Sequence, residues 1–535
     1  MRSPLVALAA LLAAVITVLG LDALIGSPDD DVGGDEVTRA ADAGTWFCAV
    51  GDTGPDNSLR VVAGVPAGVT RTPEVRVDTF QEGAARLGPE VEVFPGSGLR
   101  QPIESGLQDV GIAMRWWRAP AALHRIWTVG TPGAPNGIVE GPCEPTPSRV
   151  WMIPGVSTAG GAEARLVLAN PFETDATMTI VLTTPEGLRE PQLLGNVVVP
   201  RGSVREVLLN EHAPEQPDLG AIVRVRTGRI IAEGYQTVDA AIGGIEGVTL
   251  VKAAPAASEI WTVPWFEDGG PDAGPAGTQS WLWVTNPTDR PASLTLTLHT
   301  TGGGVVPEIE ELTVEPGVVR RIDLRGIVPE GLPDRAGATV RSENGVPIVV
   351  SSATQIGGPD AQRTGLGIQL GATAPDGLWI FGGAAGPSRA DFLHLANPSS
   401  EPALVDVRIW TDLGAVVPPE LQAVPVPAGS VVALDLGVHV PPEGGQHTTL
   451  VVAREGSVVA GRQAFDHLGT LQLVVTVGVP GRTWAGGRTV LPVEFAPGLT
   501  QRIGTVLGPD VPDTVLPTTQ PEVPTDDRDP TPEPE

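Results

Sequence analysis

The side chains able to do acid–base, nucleophilic or metal chemistry in this sequence include two cysteines, seven histidines and 63 acidic residues, besides its serines and threonines. None sits at a spacing that commits it to a reaction. A zinc protease needs His-Glu-x-x-His on one helix face, an acyl-transfer serine needs a Gly-x-Ser-x-Gly elbow, and nucleotide chemistry needs a Walker loop or a dinucleotide glycine fingerprint. The nearest approaches, "GVSTAG" at 155–160 and "GLGIQLG" at 365–371, have the wrong spacing. The histidines, at 124, 212, 299, 394, 439, 447 and 467, are scattered, and no histidine or second cysteine lies close enough to Cys48 or Cys143 to complete a zinc set. The carboxylates leave a glycosidase pair open, and "FEDGGPDAG" at 266–274 reads as a solvated loop because its spacing is not that of an EF-hand. No catalytic residue, metal or cofactor is assigned. Aromatic side chains are the better lead for binding: Trp116, Trp117, Trp283 and Trp410 are expected to be partly exposed. They would either stack on a glycan or protein partner or cover seams between domains.

The elements that must position these groups declare themselves by repetition. "RLVLANPFETDATMTIVL" at 165–182 returns as "SWLWVTNPTDRPASLTLTL" at 280–298 and "DFLHLANPSSEPALVDVRI" at 391–409. Aligned on Asn170, Asn286 and Asn397, each line is apolar at every second position: Met178, Ile180, Leu182; Leu294, Leu296, Leu298; Val405, Val407, Ile409. Period two with one apolar and one polar face is a half-buried strand. Asn-Pro (Pro171, Pro287, Pro398) breaks the chain between two such strands. Further on come turns at Gly228, Gly345 and Gly456 between apolar runs, each a hairpin signal. Tryptophans 46, 151, 261, 379 and 484 open successive units, 105, 110, 118 and 105 residues apart. His394 occupies the outward slot held by Val167 and Trp283 in the other lines, which reads as a surface position.

Units of this length with some seven short strands and no amphipathic helix predict an all-β chain of tandem antiparallel sandwiches of immunoglobulin-like size. Four are expected, at 46–150, 151–260, 261–378 and 379–507, the last carrying a closing strand at Trp484. The first is divergent, with Val65 where the Asn should be. A propeller would repeat at about 40–50 residues.

The flanks speak to compartment. Pro4–Leu21 is 18 residues without a charge, close to the roughly 20 apolar residues of a membrane-spanning helix. With Arg2 before it and "SPDDDVGGDE" after it, residues 1–26 read as an uncleaved signal-anchor with its amino terminus in the cytoplasm, and a cleaved signal peptide is the alternative. Residues 27–45 form an acidic linker, and 508–535, rich in Pro, Thr and acid, form a disordered tail. Beyond the anchor the compartment is oxidising, so Cys48 and Cys143 are expected to bridge. A net charge of −29, with Lys252 the sole lysine, argues against nucleic acid as a partner.

The opening "TWFCAVG" (45–51) and the repeated "LANP"-type lines (168–171, 284–287, 395–398) resemble an uncharacterised actinobacterial family of extracytoplasmic proteins with an N-terminal hydrophobic segment. The resemblance implies a cell-envelope setting and transfers no catalytic residue. The sequence therefore reads as a non-enzymatic, membrane-tethered scaffold or adhesion-type protein. It would be a rod of sandwiches presented to an unknown envelope protein or glycan. The alternative is a carbohydrate-active enzyme or a carbohydrate-binding accessory.

Overall fold

The computed structural model describes residues 43–485, except 55, 66–70, 95–97, 105, 120, 131–135, 240–244, 268–276, 308–311, 325–326, 328–334, 358–362, 385–389, 412–413, 441–445 and 468–470. The anchor at 1–26, almost all of the linker and the tail at 508–535 lie outside the described residues. Among the described residues, no helix is long and apolar enough to cross a membrane.

The chain is all-β. The alternating lines form the strands Ala176–Thr184, Ala292–Thr300 and Ala403–Thr411. Their apolar residues point into cores: Met178, Leu182, Leu298, Val405 and Ile409 are fully buried. Within 150–252 one sheet runs Val150–Val156, Leu219–Thr227, Ala176–Thr184, Gly187–Arg189. The facing sheet runs Ser203–Leu208, Ala162–Asn170, Ile231–Val238, Gly247–Lys252. The same two orders recur in 43–142, 260–370 and 378–480. They are not the strand order of an immunoglobulin constant domain, whose first two strands share a sheet; here Val150–Val156 and Ala162–Asn170 lie in opposite sheets.

The recurring residues have recurring jobs. Each opening tryptophan donates its indole N–H to a carbonyl of its own unit, closing one end of the sandwich. The pairs are Trp46 to Ala121, Trp151 to Ile230, Trp261 to Ile348 and Trp379 to Val458, at 2.6–2.9 Å. Each repeat asparagine is a buried clamp. Asn286 Nδ2 donates to the carbonyls of Arg290 and Val314 while its Oδ1 accepts from Thr288 N. Asn170 and Asn397 do the same with Thr174, Val199 and Phe172, and with Glu401, Val426 and Ser399. Pro171, Pro287 and Pro398 then end the strands. Gly228, Gly345 and Gly456 all take positive φ, at 79°, 69° and 69°, as tight hairpin turns require.

Cys48 and Cys143 are bonded to each other. They join the first strand to the segment that returns to it after the unit's last strand, where Phe47 also bridges Glu144. The other units make that return with backbone bridges alone, Met152 to Ala254 and Thr262 to Ala372. In the fourth unit the return is the strand Val479–Pro480, paired with Ile380 and Trp379. This corrects the expected closing strand at Trp484, which lies instead in the helical turn Arg482–Ala485.

The units are not strung out as a rod. The last strands of the second sheets, Gly137–Pro142, Gly247–Lys252, Arg363–Leu370 and Leu471–Val477, each touch the next, and the fourth touches the first. Between Arg363–Leu370 and Leu471–Val477 the contact is a parallel ladder. Four units in chain order thus close into a ring around these axial strands.

Candidate functional site

A ring makes four seams, and each buries the outward face of one unit's second sheet against the first strand of the preceding unit. Trp283 lies flat over Gly155, where an added Cβ would come within 2.2 Å of its ring, and its indole donates to Asp218 Oδ1 at 2.6 Å. His394 stacks on Trp265, 5.1 Å between centroids and 23° between planes. Gly461 admits Pro264, and Gly382 admits His124. At the seam between fourth and first units, Val62, Ile126 and Ile138 pack with Ala464 and Val474.

Ion pairs fasten two of these seams. Arg125 and Arg462 occupy the same register, facing Gly141 and Thr476 of their axial strands. Arg462 pairs bidentately with Asp391 and reaches Glu140 of the first unit at 3.1 Å. Arg125 donates two bonds, 2.6 and 2.7 Å, to Glu233 of the second unit. Glu233 is fully buried and also accepts from Ala49 N at 2.8 Å and Lys252 Nζ at 2.6 Å. Burial alone would raise the Glu233 carboxyl, but Arg125 and Lys252 outweigh it and hold the group down at about 2. Lys252 completes its three donors on Glu144 and the carbonyl of Pro142. Burial pushes the Glu144 carboxyl up, against the pull of Lys252. Burial, reinforced by Arg462, Lys252 and Arg125, drops His124 to about 3, so this imidazole is neutral.

Where the axial strands end, their return segments surround a cavity of about 320 Å³. All four units line it, with Leu250, Ile368, Val475 and Val477 as apolar wall and Glu144, Lys252 and Gln369 among the polar groups. Among the described residues, no cluster of three or more His, Cys, Asp or Glu is placed to hold a metal ion.

A family of unknown function, DUF5719, matches residues 117–375 and 370–472. The chain belongs to that family. No curated protein matches the DUF5719 chain. Among solved structures it is similar to a Thermotoga maritima protein, "Thermotoga maritima 1070", at 18% identity and a TM-score of 0.19, over 22% of this chain and 96% of that one. It is also similar to the mycobacterial arabinofuranosyltransferase AftD at 10% identity and a TM-score of 0.12, over 77% of this chain and 39% of that one. The α-L-rhamnosidase of Streptomyces avermitilis follows at 8% and 0.10, over 78% and 56%. At such scores none of these likenesses carries an argument.

The ring relocates several residues that the sequence had placed at the surface. Trp116, Trp117 and Trp283 of the DUF5719 chain are 3%, 5% and 0% exposed, so none offers a ring to solvent. Trp116 covers Gly44, Trp117 lies beneath Arg76, and Trp283 fills a seam. Trp410 is partly exposed, packed at the edge of a core cluster to which all four units contribute. His394 is buried, not outward in water, because the third unit covers it. Trp484 has no side-chain placement among the described residues. Sequence reasoning missed two buried ion-pair groups, Arg125, Glu233 and Lys252 at one seam and Arg462 and Glu140 at another. A signal was present: charged residues inside otherwise apolar strands ("ALHRIWTV", "IAEGYQTV") and glycines in strand interiors, which mark close approach.

Proposed function

We propose that this protein is a non-enzymatic scaffold of the cell envelope, held at the membrane by residues 1–26 and presenting the rim of its four-unit ring to an envelope protein or glycan. The observation that carries this reading is how the buried ionisable groups are spent. Lys252 uses all three of its donors, and Glu233, Arg125 and Arg462 all hold one unit to another. Chemistry needs such groups turned toward a substrate; here they are turned toward neighbouring units. The acidic flanks keep the ring soluble and repel phosphate-bearing partners. Crosslinking on intact cells followed by membrane fractionation tests the proposal. The full-length chain should sediment with membranes, carry the oxidised Cys48–Cys143 pair, and crosslink to one defined partner that a ring-opened variant, Arg462→Met, no longer captures. Recovery in the cytosol with free thiols refutes it.

One observation favours carbohydrate as the ligand. At the seam of the first two units, burial raises the carboxyls of both Asp109 and Glu206, and Asp109 raises Glu206 further. Tyr235 Oη donates to Glu206 at 3.2 Å, and Arg165 pairs with it at 3.2 Å. A half-buried carboxyl held by a tyrosine and an arginine, with a second acid near enough to raise it, suits a polyhydroxylated ligand. Glycan binding that survives Asp109→Asn and Glu206→Gln would move the ligand away from these carboxyls, and no glycan binding by the wild-type chain would remove this second reading.

A further inference from the structure

The disulfide stands at the root of a fork whose prongs grip the second unit. Phe47 and Glu144 exchange main-chain hydrogen bonds at 2.8 and 2.7 Å, and the next residues of the two segments are Cys48 and Cys143, bonded to each other. There the segments part, and Cys143 N donates to the carbonyl of Leu123 instead. Glu233 and Lys252 of the second unit reach into the opening. Glu233 accepts from the Ala49 and Val50 amides at 2.8 and 3.4 Å. Lys252 donates to the carbonyl of Pro142 at 2.9 Å and pairs with Glu144. Glu233 and Lys252 are themselves paired at 2.6 Å, so together they tie one prong to the other. Among the described residues of the first unit that bond this pair, only Arg125 lies more than two positions from a cysteine, and its Nη1 also donates to Val50 O at 3.2 Å.

We propose that Cys48–Cys143 is a redox latch on the seam between the first two units, opened by a small dithiol that reaches Cys143 through the axial cavity. Burial leaves few other routes. Cys48 and Cys143 are 0% and 2% exposed, and Cys143, not Cys48, lines the cavity. A thiolate of the dithiol attacks Cys143 Sγ, the S–S bond breaks, and Cys48 leaves as a thiolate that takes up a proton. The second sulfur of the dithiol then displaces Cys143 from the mixed disulfide, and Cys143 takes up a proton in turn. Two electrons have passed to the protein, and the dithiol has become a disulfide. With the bond cut, the Phe47–Glu144 bridge still holds the root, so the first unit keeps its fold while the prongs part from Glu233. The chain has no other cysteine, so the other three seams do not respond. The latch rests on the geometry of this seam alone and holds whatever the rim binds.

The test uses the full-length protein, oxidised or reduced with dithiothreitol. Reduction should speed amide exchange at Ala49 and Val50 about tenfold, while Ser58–Gly64 in the same unit and Arg363–Leu370 in the third stay protected. Coupling between bond and seam is reciprocal. Glu233→Gln, which weakens the seam, should therefore make the pair about tenfold easier to reduce, a potential about 30 mV less negative. A disulfide that only staples the first unit would leave the potential where it was. Ala256→Trp, at an exposed position on the cavity wall, should slow reduction by dithiothreitol about tenfold without moving the potential. Exchange at Ala49 and Val50 within about twofold of the oxidised protein overturns the proposal, as does complete loss of protection along Ser58–Gly64, which would mean that the unit unfolds. So do equal potentials in wild type and Glu233→Gln, and a reduction rate untouched by Ala256→Trp.

Discussion

Glu233→Gln isolates the seam between the first two units with little change in volume. The wild-type carboxyl is held from its ordinary 4.5 down to about 2, and at 1.36 kcal/mol per pH unit that is about 3 kcal/mol of stabilisation. A second route gives the same size. Removing one partner of a buried ion pair costs about 3–5 kcal/mol, because the remaining charge is stranded. Here Arg125 is stranded, while Lys252 keeps Glu144, which favours the lower end. The readout is local: the Ala49 and Val50 amides donate directly to Glu233, so their hydrogen exchange reports opening of this seam. About 3 kcal/mol is roughly a hundredfold faster exchange in the variant. The sign with pH follows from the depressed value. The contribution is complete above 4.5 and is lost as pH falls through about 2, so the gap between wild type and variant should be full at pH 7 and shrink from 4.5 downward. Glu144 runs the other way. Its carboxyl is raised, so its contribution is present below 4.5 and lost as pH rises through its folded value. Exchange at Ala49 and Val50 within about twofold of wild type, or a gap as large at pH 3 as at pH 7, would refute the reasoning.

Three further substitutions probe other ties. Arg462→Met leaves Asp391 and Glu140 without their guanidinium, and should cost about 3–5 kcal/mol, with exchange protection lost first along Gly137–Pro142. Gly155→Ala drives a methyl into the Trp283 ring. A loss of about 1–3 kcal/mol is expected in denaturant unfolding, and Trp283→Leu should recover most of it in the double mutant. Cys48→Ser/Cys143→Ser opens a loop spanning 95 residues, worth about 4–5 kcal/mol by chain entropy. The Phe47–Glu144 bridge remains, so proteolysis should begin in the first unit while the other three stay resistant.

What each unit does within itself was legible in the sequence. Alternation at Met178, Ile180 and Leu182 can place those residues on one face only, and the Asn-Pro break reappears as a buried side-chain clamp. What the units do to one another was not legible. A polar or aromatic residue on the outward face of a strand reads as solvated, because period two says which face is inside a sheet and nothing about what covers the other face. Val167, Trp283 and His394 looked interchangeable, and therefore superficial. They are interchangeable because each meets a different neighbour.

That difference gives the ring its order. Head-to-tail packing of like units yields either a closed ring or an open filament, and four identical seams would also let any unit follow any other. The seams here are matched pairs instead. Trp283 needs the bare backbone of Gly155, His394 lies on Trp265, Gly461 receives Pro264, and His124 enters over Gly382. Set the third unit's sheet on the third unit's own first strand, as a filament of third units would, and Trp283 meets Trp265, two indoles where one fits. Set the fourth unit's sheet on its own first strand, and Gly461 faces Gly382 across a void. Clash in one misassembly and cavity in another both penalise the wrong neighbour. The divergence among the repeats, which weakens their resemblance as sequences, is therefore what specifies a single closed arrangement. A chain of four consensus units, each stable on its own, should lose that specification and associate end to end.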